Sequence, residues 1–259
     1  MKRIIIGALI TSLVASPAFA TATKNKHHHK LTAKKTAASS TAAASSDNTE
    51  TKKFTSSFDL TSNYVFRGVS QTTNLPAVQG GFTYTFNNGI YLNLWGSNVR
   101  FVGVGSNATV EFDYIAGITG TIKDLSYNLY YDQYSYPKGT MLNYGETILI
   151  LNYSIFQGTF AYSLNEYDVH KPGNYVELGV NLPIPPKCFF HVEDINLYAG
   201  VGHFNLPKKA GHSYVDYLVT LSKKIEPYTI SVSYATTNGQ FNYRPFDRDL
   251  FFATVQVDV

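Results

Sequence analysis

From Phe54 to Val259, apolar residues recur at every second position, and clusters of Gly, Pro and Asn break the runs. Period-two alternation marks strands with one apolar face, and helical spacing is nowhere sustained. In the first run, Phe54, Phe58, Leu60, Tyr64 and Phe66 fall on one face, with Thr55, Ser57, Asp59, Thr61, Asn63 and Arg67 on the other. The pattern continues with Val78, Phe82, Tyr84 and Phe86, then Ile90, Leu92 and Leu94. Val110, Phe112, Tyr114 and Ile118 follow, and then Leu125, Tyr127, Leu129 and Tyr131. Further strands are predicted near 144–155, 159–165, 175–182, 194–202, 213–222, 228–235 and 249–259, twelve in all.

The connections between these runs alternate in length. Short turns are predicted at Asn87-Asn88-Gly89, around Lys123-Asp124, at Phe156-Gln157-Gly158 and from Lys223 to Pro227. Longer, more polar loops are predicted at 68–76, 98–108, 133–143, 166–174, 203–212 and 236–248. Short periplasmic turns, long outer loops and an even strand count are the asymmetry of bacterial outer-membrane barrels. Pro183 to Glu193 is long on the short side, which means either a tucked periplasmic loop or a wrong strand count there. The expected fold is all-β, a closed antiparallel up-and-down transmembrane β-barrel of about 12 strands over residues 54–259.

A soluble β-sandwich would alternate too. It would carry lysine on its outward polar faces. Here those faces are rich in Ser, Thr, Asn and Gly, while Lys123, Lys138, Lys171, Lys208 and Lys209 sit in turns and loops. Composition points the same way: only 15% of residues are charged, against 20 Tyr and 17 Phe, a balance suited to aromatic-girdled membrane barrels. Beyond the N-terminus no apolar run approaches the 18 or so residues a membrane-spanning helix needs.

Residues 1–20 read as a signal peptide, with Lys2 and Arg3, an apolar run from Ile4 to Val14, and Ala18-Phe19-Ala20 as the cleavage site. Residues 21–53 are mostly Ala, Ser, Thr and Lys with His27, His28 and His29, and are expected to form a disordered basic leader. Setting aside the two basic residues of the signal and the seven lysines, Asp47 and Glu50 of the leader leaves 12 basic and 16 acidic residues, a net charge of -4 for the barrel. The overall excess of positive charge therefore carries no implication of nucleic-acid binding. Cys188, the single cysteine, has no internal disulfide partner.

The segment NYVFRGVSQTTNLPAVQGG at Asn63 to Gly81, followed by GIYLNLWGSNV at Gly89 to Val99, resembles the TorF-type porin-like family, also labelled Gcw_chp. VEFDYIAG at Val110 to Gly117, LSYNLYYDQYSYPKG at Leu125 to Gly139 and NYGE at Asn143 to Glu146 extend the resemblance. It implies an outer-membrane barrel of undefined substrate. The chain departs from the pattern at Asn93, where a small residue is expected, and ends in Val259 instead of an aromatic ring, which bears on insertion efficiency.

By alternation Asp59, Arg67, Glu111, Asp113, Asp132, Glu146, Glu177 and Asp216 face inward, where charge is tolerated, as does Trp95. These nine are the candidate pore-lining residues. They form either a charged lining that sets ion preference or a salt-bridged filling of the lumen. Trp95 either stacks on a solute or anchors the outer loops. Gly68, Gly80, Gly81, Gly89 and Gly96 are read as turn and bulge positions. The histidines of the barrel, His170, His191, His203 and His212, lack paired metal spacing, and His212-Ser213 point to opposite faces. No enzyme, metal or cofactor is expected.

The sequence thus predicts an outer-membrane porin passing small solutes passively, the alternative being a closed structural or surface-interaction barrel. The expected partners are outer-membrane lipid, the barrel-assembly machinery during insertion, and small solutes, with no nucleic acid. Because residues 21–53 lack apolar periodicity, deleting them should leave the heat-modifiable gel mobility of the refolded barrel unchanged. A chain without them that fails to fold would show that the leader braces the wall.

Overall fold

A computed structural model describes residues 53–102, 106–188, 191–240 and 243–259; the segment read as a signal peptide and nearly all of that read as a leader lie outside the described residues. The strands are β1 (Phe54–Thr61), β2 (Val65–Phe66), β3 (Val69–Ser70), β4 (Ala77–Thr85), β5 (Ile90–Asn98), β6 (Val110–Ile122) and β7 (Leu125–Ser135). They continue with β8 (Tyr144–Tyr153), β9 (Phe156–Ser163), β10 (Gly173–Ile184), β11 (Ile195–Asn205), β12 (Tyr214–Ile225), β13 (Tyr228–Thr237) and β14 (Leu250–Asp258). Every strand except β2 and β3 belongs to one closed antiparallel barrel of twelve strands. Consecutive wall strands pair with each other, and β1 closes the ring on β14 with Ser57 opposite Asp258 and Thr61 opposite Thr254. Closure leaves no sheet edge unpaired, which is the condition for a sheet to sit in hydrocarbon and which a sandwich does not meet.

The pleat sorts the side chains as the alternation requires. Phe58, Leu60, Val78, Phe82, Leu92, Leu94, Leu129, Leu178, Val219, Val232 and Val255 point outward and are exposed. A continuous apolar outer face of this kind is stable only against lipid. Aromatic residues gather near its ends. Phe54 stacks on Phe82 at 6.0 Å and Tyr84 meets Phe86 at 4.9 Å on the side of the short turns, while Tyr234 meets Phe251 at 4.8 Å on the other.

The turns correct several boundaries. The predicted turn at Phe156-Gln157-Gly158 is the start of β9, and the reversal is made by Ser154-Ile155, with Ser154 at φ 57°. Strand β12 runs to Ile225, leaving Glu226-Pro227 as its turn. The Pro183 to Glu193 stretch is a long connection on the short-turn side: β10 reaches Ile184 and a short 3-10 turn covers Pro186–Cys188 before β11. The strand count stands at twelve.

The largest correction concerns the first strand. Alternation carried it to Arg67, which would put Tyr64 and Phe66 in lipid. Strand β1 ends at Thr61, and Tyr64, Phe66, Arg67, Val69, Gln71 and Thr72 are all buried. Residues 62–76 turn into the barrel, where β2 and β3 form a small hairpin with Phe66 opposite Val69. Its tip, Arg67-Gly68, has φ 41° and 77°, and positive φ at both central residues is what a tight hairpin turn matching strand twist requires.

The inner face therefore divides in two. Toward the short turns Ser57, Thr83, Asn128, Gln157, Thr229 and Gln256 are partly exposed, forming a polar chamber. Toward the long loops the inner face is buried beneath the hairpin. An arginine at Leu178, midway along β10 and outward-facing, should cost about 2–4 kcal/mol of folding stability in bilayers. Urea titration checks this, with inward Gln157→Arg as the smaller-effect control; equal losses would mean the two faces are misassigned.

Candidate functional site

Antiparallel pairing brings the acidic positions of three adjacent strands together. Glu111 and Asp113 share the inner face of β6, about 7 Å apart for two residue rises. Asp113 lies opposite Tyr134 of β7, and Asp132 of β7 lies directly opposite Glu146 of β8. All four carboxylates are fully buried. Across the lumen, Asp216 on β12 is buried and accepts a hydrogen bond from the Tyr175 hydroxyl at 3.2 Å. Tyr175 also lies 2.9 Å from Glu177, whose other oxygen accepts from Tyr198. Asp59 is buried on β1, away from both groups, with Oδ1 unpartnered.

Arg67 descends between these clusters on the hairpin tip. Its Nη1 and Nη2 donate to Glu146 Oε1 and Oε2 at 3.0 and 2.8 Å, a bidentate fork. Tyr134 donates to the same carboxylate at 3.2 Å. The guanidinium carbon lies 4.2 Å from the ring centre of Tyr175, 4.4 Å from Phe66 and 4.6 Å from Phe204, within cation–π range of all three. Arg67 is the only basic side chain among the described residues that is buried, against buried Asp59, Glu111, Asp113, Asp132, Glu146, Glu166, Asp216 and Asp247. Gly68 lets the tip seat: a Cβ there would lie 2.8 Å from Asp216 Cβ and 2.9 Å from Thr237 Cγ2. Backbone bonds from Ser70 N to Phe246 O at 2.7 Å and from Arg100 N to Gln71 O at 2.8 Å tie the hairpin to the outer loops.

Of the nine predicted positions, the structure places Glu111, Asp113, Asp132 and Glu146 in one patch, Glu177 and Asp216 in a second, and Asp59 apart. Arg67 is inward through the folded-in loop, not through strand alternation. Trp95 is buried edge-on against Tyr64 of the hairpin at 5.7 Å, in contact with the segment that enters the lumen. Sequence reasoning missed the tyrosines of the inner face, Tyr91, Tyr130, Tyr134, Tyr136, Tyr144, Tyr175 and Tyr214, all buried. The signal was present in LSYNLYYDQYSYP, where tyrosine occupies both parities and one set must point inward. Glu166, in the loop between β9 and β10, was missed as well. Burial pushes its carboxyl above the usual carboxylate range, nearby Glu146 adds to this, and Arg67 opposes it. His170, His191, His203 and His212 are exposed, and among the described residues no group of three or more His, Cys, Asp or Glu is placed to hold a metal ion.

A family model described as a bacterial protein of unknown function (Gcw_chp) matches residues 43–255. The chain belongs to the Gcw_chp family. No curated protein matches it. Among solved structures, this Gcw_chp barrel is similar to the KdgM porin, at 10% identity over 79% of this chain and 97% of that one, with a TM-score of 0.50. It is also similar to the KdgM porin in complex with disordered oligogalacturonate (11% identity, 79% and 96% coverage, TM-score 0.48). OpdK, an outer membrane protein from Pseudomonas aeruginosa, follows at 10% identity, 81% and 67% coverage and TM-score 0.42. What the Gcw_chp chain shares with the KdgM porin is the fold, a closed porin-type barrel.

The residues on which the Gcw_chp resemblance rests most, Asn63 to Gly81 and Trp95 to Val99, are the hairpin and its supports. Removing one partner of a buried ion pair strands the other, so Arg67→Met should cost about 3–5 kcal/mol in urea titration. The double variant Arg67→Met/Glu146→Gln should recover most of that loss, because no stranded charge remains. Additive losses would mean the pair is not coupled.

Proposed function

We propose that this protein is an outer-membrane pore through which small neutral or cationic solutes diffuse passively, with the luminal hairpin setting the open cross-section. The observation that carries this reading is the inner face itself: among the described residues, buried acids on β1, β6, β7, β8 and β12 stand against a single buried base, Arg67. A wall that served only as filling would gain by omitting a carboxylate such as Asp59, whose Oδ1 is buried without a partner, since an isolated buried carboxylate costs several kcal/mol. Water and mobile cations relieve that cost, and a passage lined this way concentrates cations and repels anions. The polar chamber toward the short turns supports the same reading. Lipid contacts the apolar outer face, and export through the signal peptide with insertion by the barrel-assembly machinery completes it.

A second reading is a closed barrel that presents its outer loops as a surface. The side chains and hairpin packed into the outer half of the lumen favour it. Conductance in planar bilayers separates the two. A pore should give single-channel steps, and Glu111→Gln/Asp113→Asn should lower cation-over-anion permeability, most at low salt where screening is weak. Gly68→Val, which forces the hairpin tip off the wall, should raise unit conductance. Absence of current in the wild type and in Gly68→Val would establish the closed barrel instead.

A further inference from the structure

We infer that the chamber now holding the Arg67 side chain is a receptor for guanidinium-bearing solutes, and that the hairpin tip occupies it as a tethered stand-in for such a ligand. The inference rests on the pore reading only for the solute's route; binding stands on the geometry alone. The chamber supplies what a guanidinium requires. Glu146, on the barrel wall, offers both oxygens to the two terminal nitrogens at 3.0 and 2.8 Å, the planar fork that an ammonium cannot fill. Tyr175 and Phe204, also from the wall, face the guanidinium carbon at 4.2 and 4.6 Å. Fork and walls belong to β8, β10 and β11, so they persist when the hairpin leaves.

The tip fills this chamber incompletely. Arg67 Nε is buried without a hydrogen-bond partner. Both carboxylate oxygens of Glu166 are likewise buried and unpartnered, although Glu166 acts electrostatically on Arg67. Asp216 also feels the Arg67 charge. Three acidic side chains thus act on one cation. A solute carrying a guanidinium plus a second donor or positive group would satisfy more of them than the tip does. The tip is also held in a left-handed conformation, with Arg67 at φ 41°, a cost that a free solute does not bear. Exchange of tip for solute would clear the hairpin from the lumen, so that the ligand opens its own path.

Trp95 provides the readout, since it is the only tryptophan of the chain and packs on Tyr64 of the hairpin at 5.7 Å. Methylguanidinium at millimolar concentration, titrated into the refolded full-length wild type, should change Trp95 emission saturably. Methylammonium at equal ionic strength should act about tenfold more weakly, lacking the fork. In Arg67→Ala, whose chamber is vacant, methylguanidinium should bind more tightly than in the wild type and raise Tm. Arg67→Ala/Glu146→Gln should lose that rise. A wild-type emission that stays flat, or that responds equally to both cations, overturns the proposal even if Arg67→Ala fails to fold. Channel activity with flat emission would leave the pore reading intact and sink the receptor; saturable emission without channel activity would do the reverse.

Discussion

A guanidinium buried among carboxylates is the contact that organises the outer half of this barrel. Taking Arg67 out of water costs several kcal/mol, and the cost is offset only because Glu146 meets it with two hydrogen bonds while three aromatic rings cover its faces. The geometry of that fork fixes how deep the hairpin descends and which way its tip turns. The positive φ at Arg67 and Gly68, the closeness of Gly68 to β12 and β13, and the seating of Tyr64 on Trp95 all depend on it. Around that one cation stand the buried carboxylates of the inner face.

Wall and lumen obey different constraints. The wall must satisfy every backbone hydrogen bond within itself because lipid offers none, so twelve strands close and each presents an apolar outer face. The lumen carries no such demand and can hold charge, water or a folded-in loop. A change at Leu178 meets lipid, whereas a change at Arg67 or Glu111 meets the interior.

The match to the Gcw_chp family gains a structural meaning from this division. Alternating strands alone would make any barrel, and the likeness to the KdgM porin extends to that architecture. The distinctive segments, Asn63 to Gly81 and Gly89 to Val99, instead form the luminal hairpin, the start of β4 and the strand β5 whose Trp95 meets the hairpin.

The sequence alone determined the wall. Period-two alternation is a local property of each strand, and lipid enforces it, so the twelve strands, their outward faces and the inward set of Asp59, Trp95, Glu111, Asp113, Asp132, Glu146, Glu177 and Asp216 could be read directly. Turn boundaries at Ser154-Ile155 and Glu226-Pro227 slipped by a few residues because strand ends tolerate either state. The fate of residues 62–76 was not legible, because Tyr64, Phe66 and Arg67 continue the alternation of β1 although the chain has left the wall. Nothing local distinguishes a side chain facing lipid from one facing a tyrosine-lined interior. Only the closed barrel decides it, by placing Glu146, Tyr175 and Phe204 from β8, β10 and β11 around one point in space that no single stretch of sequence contains.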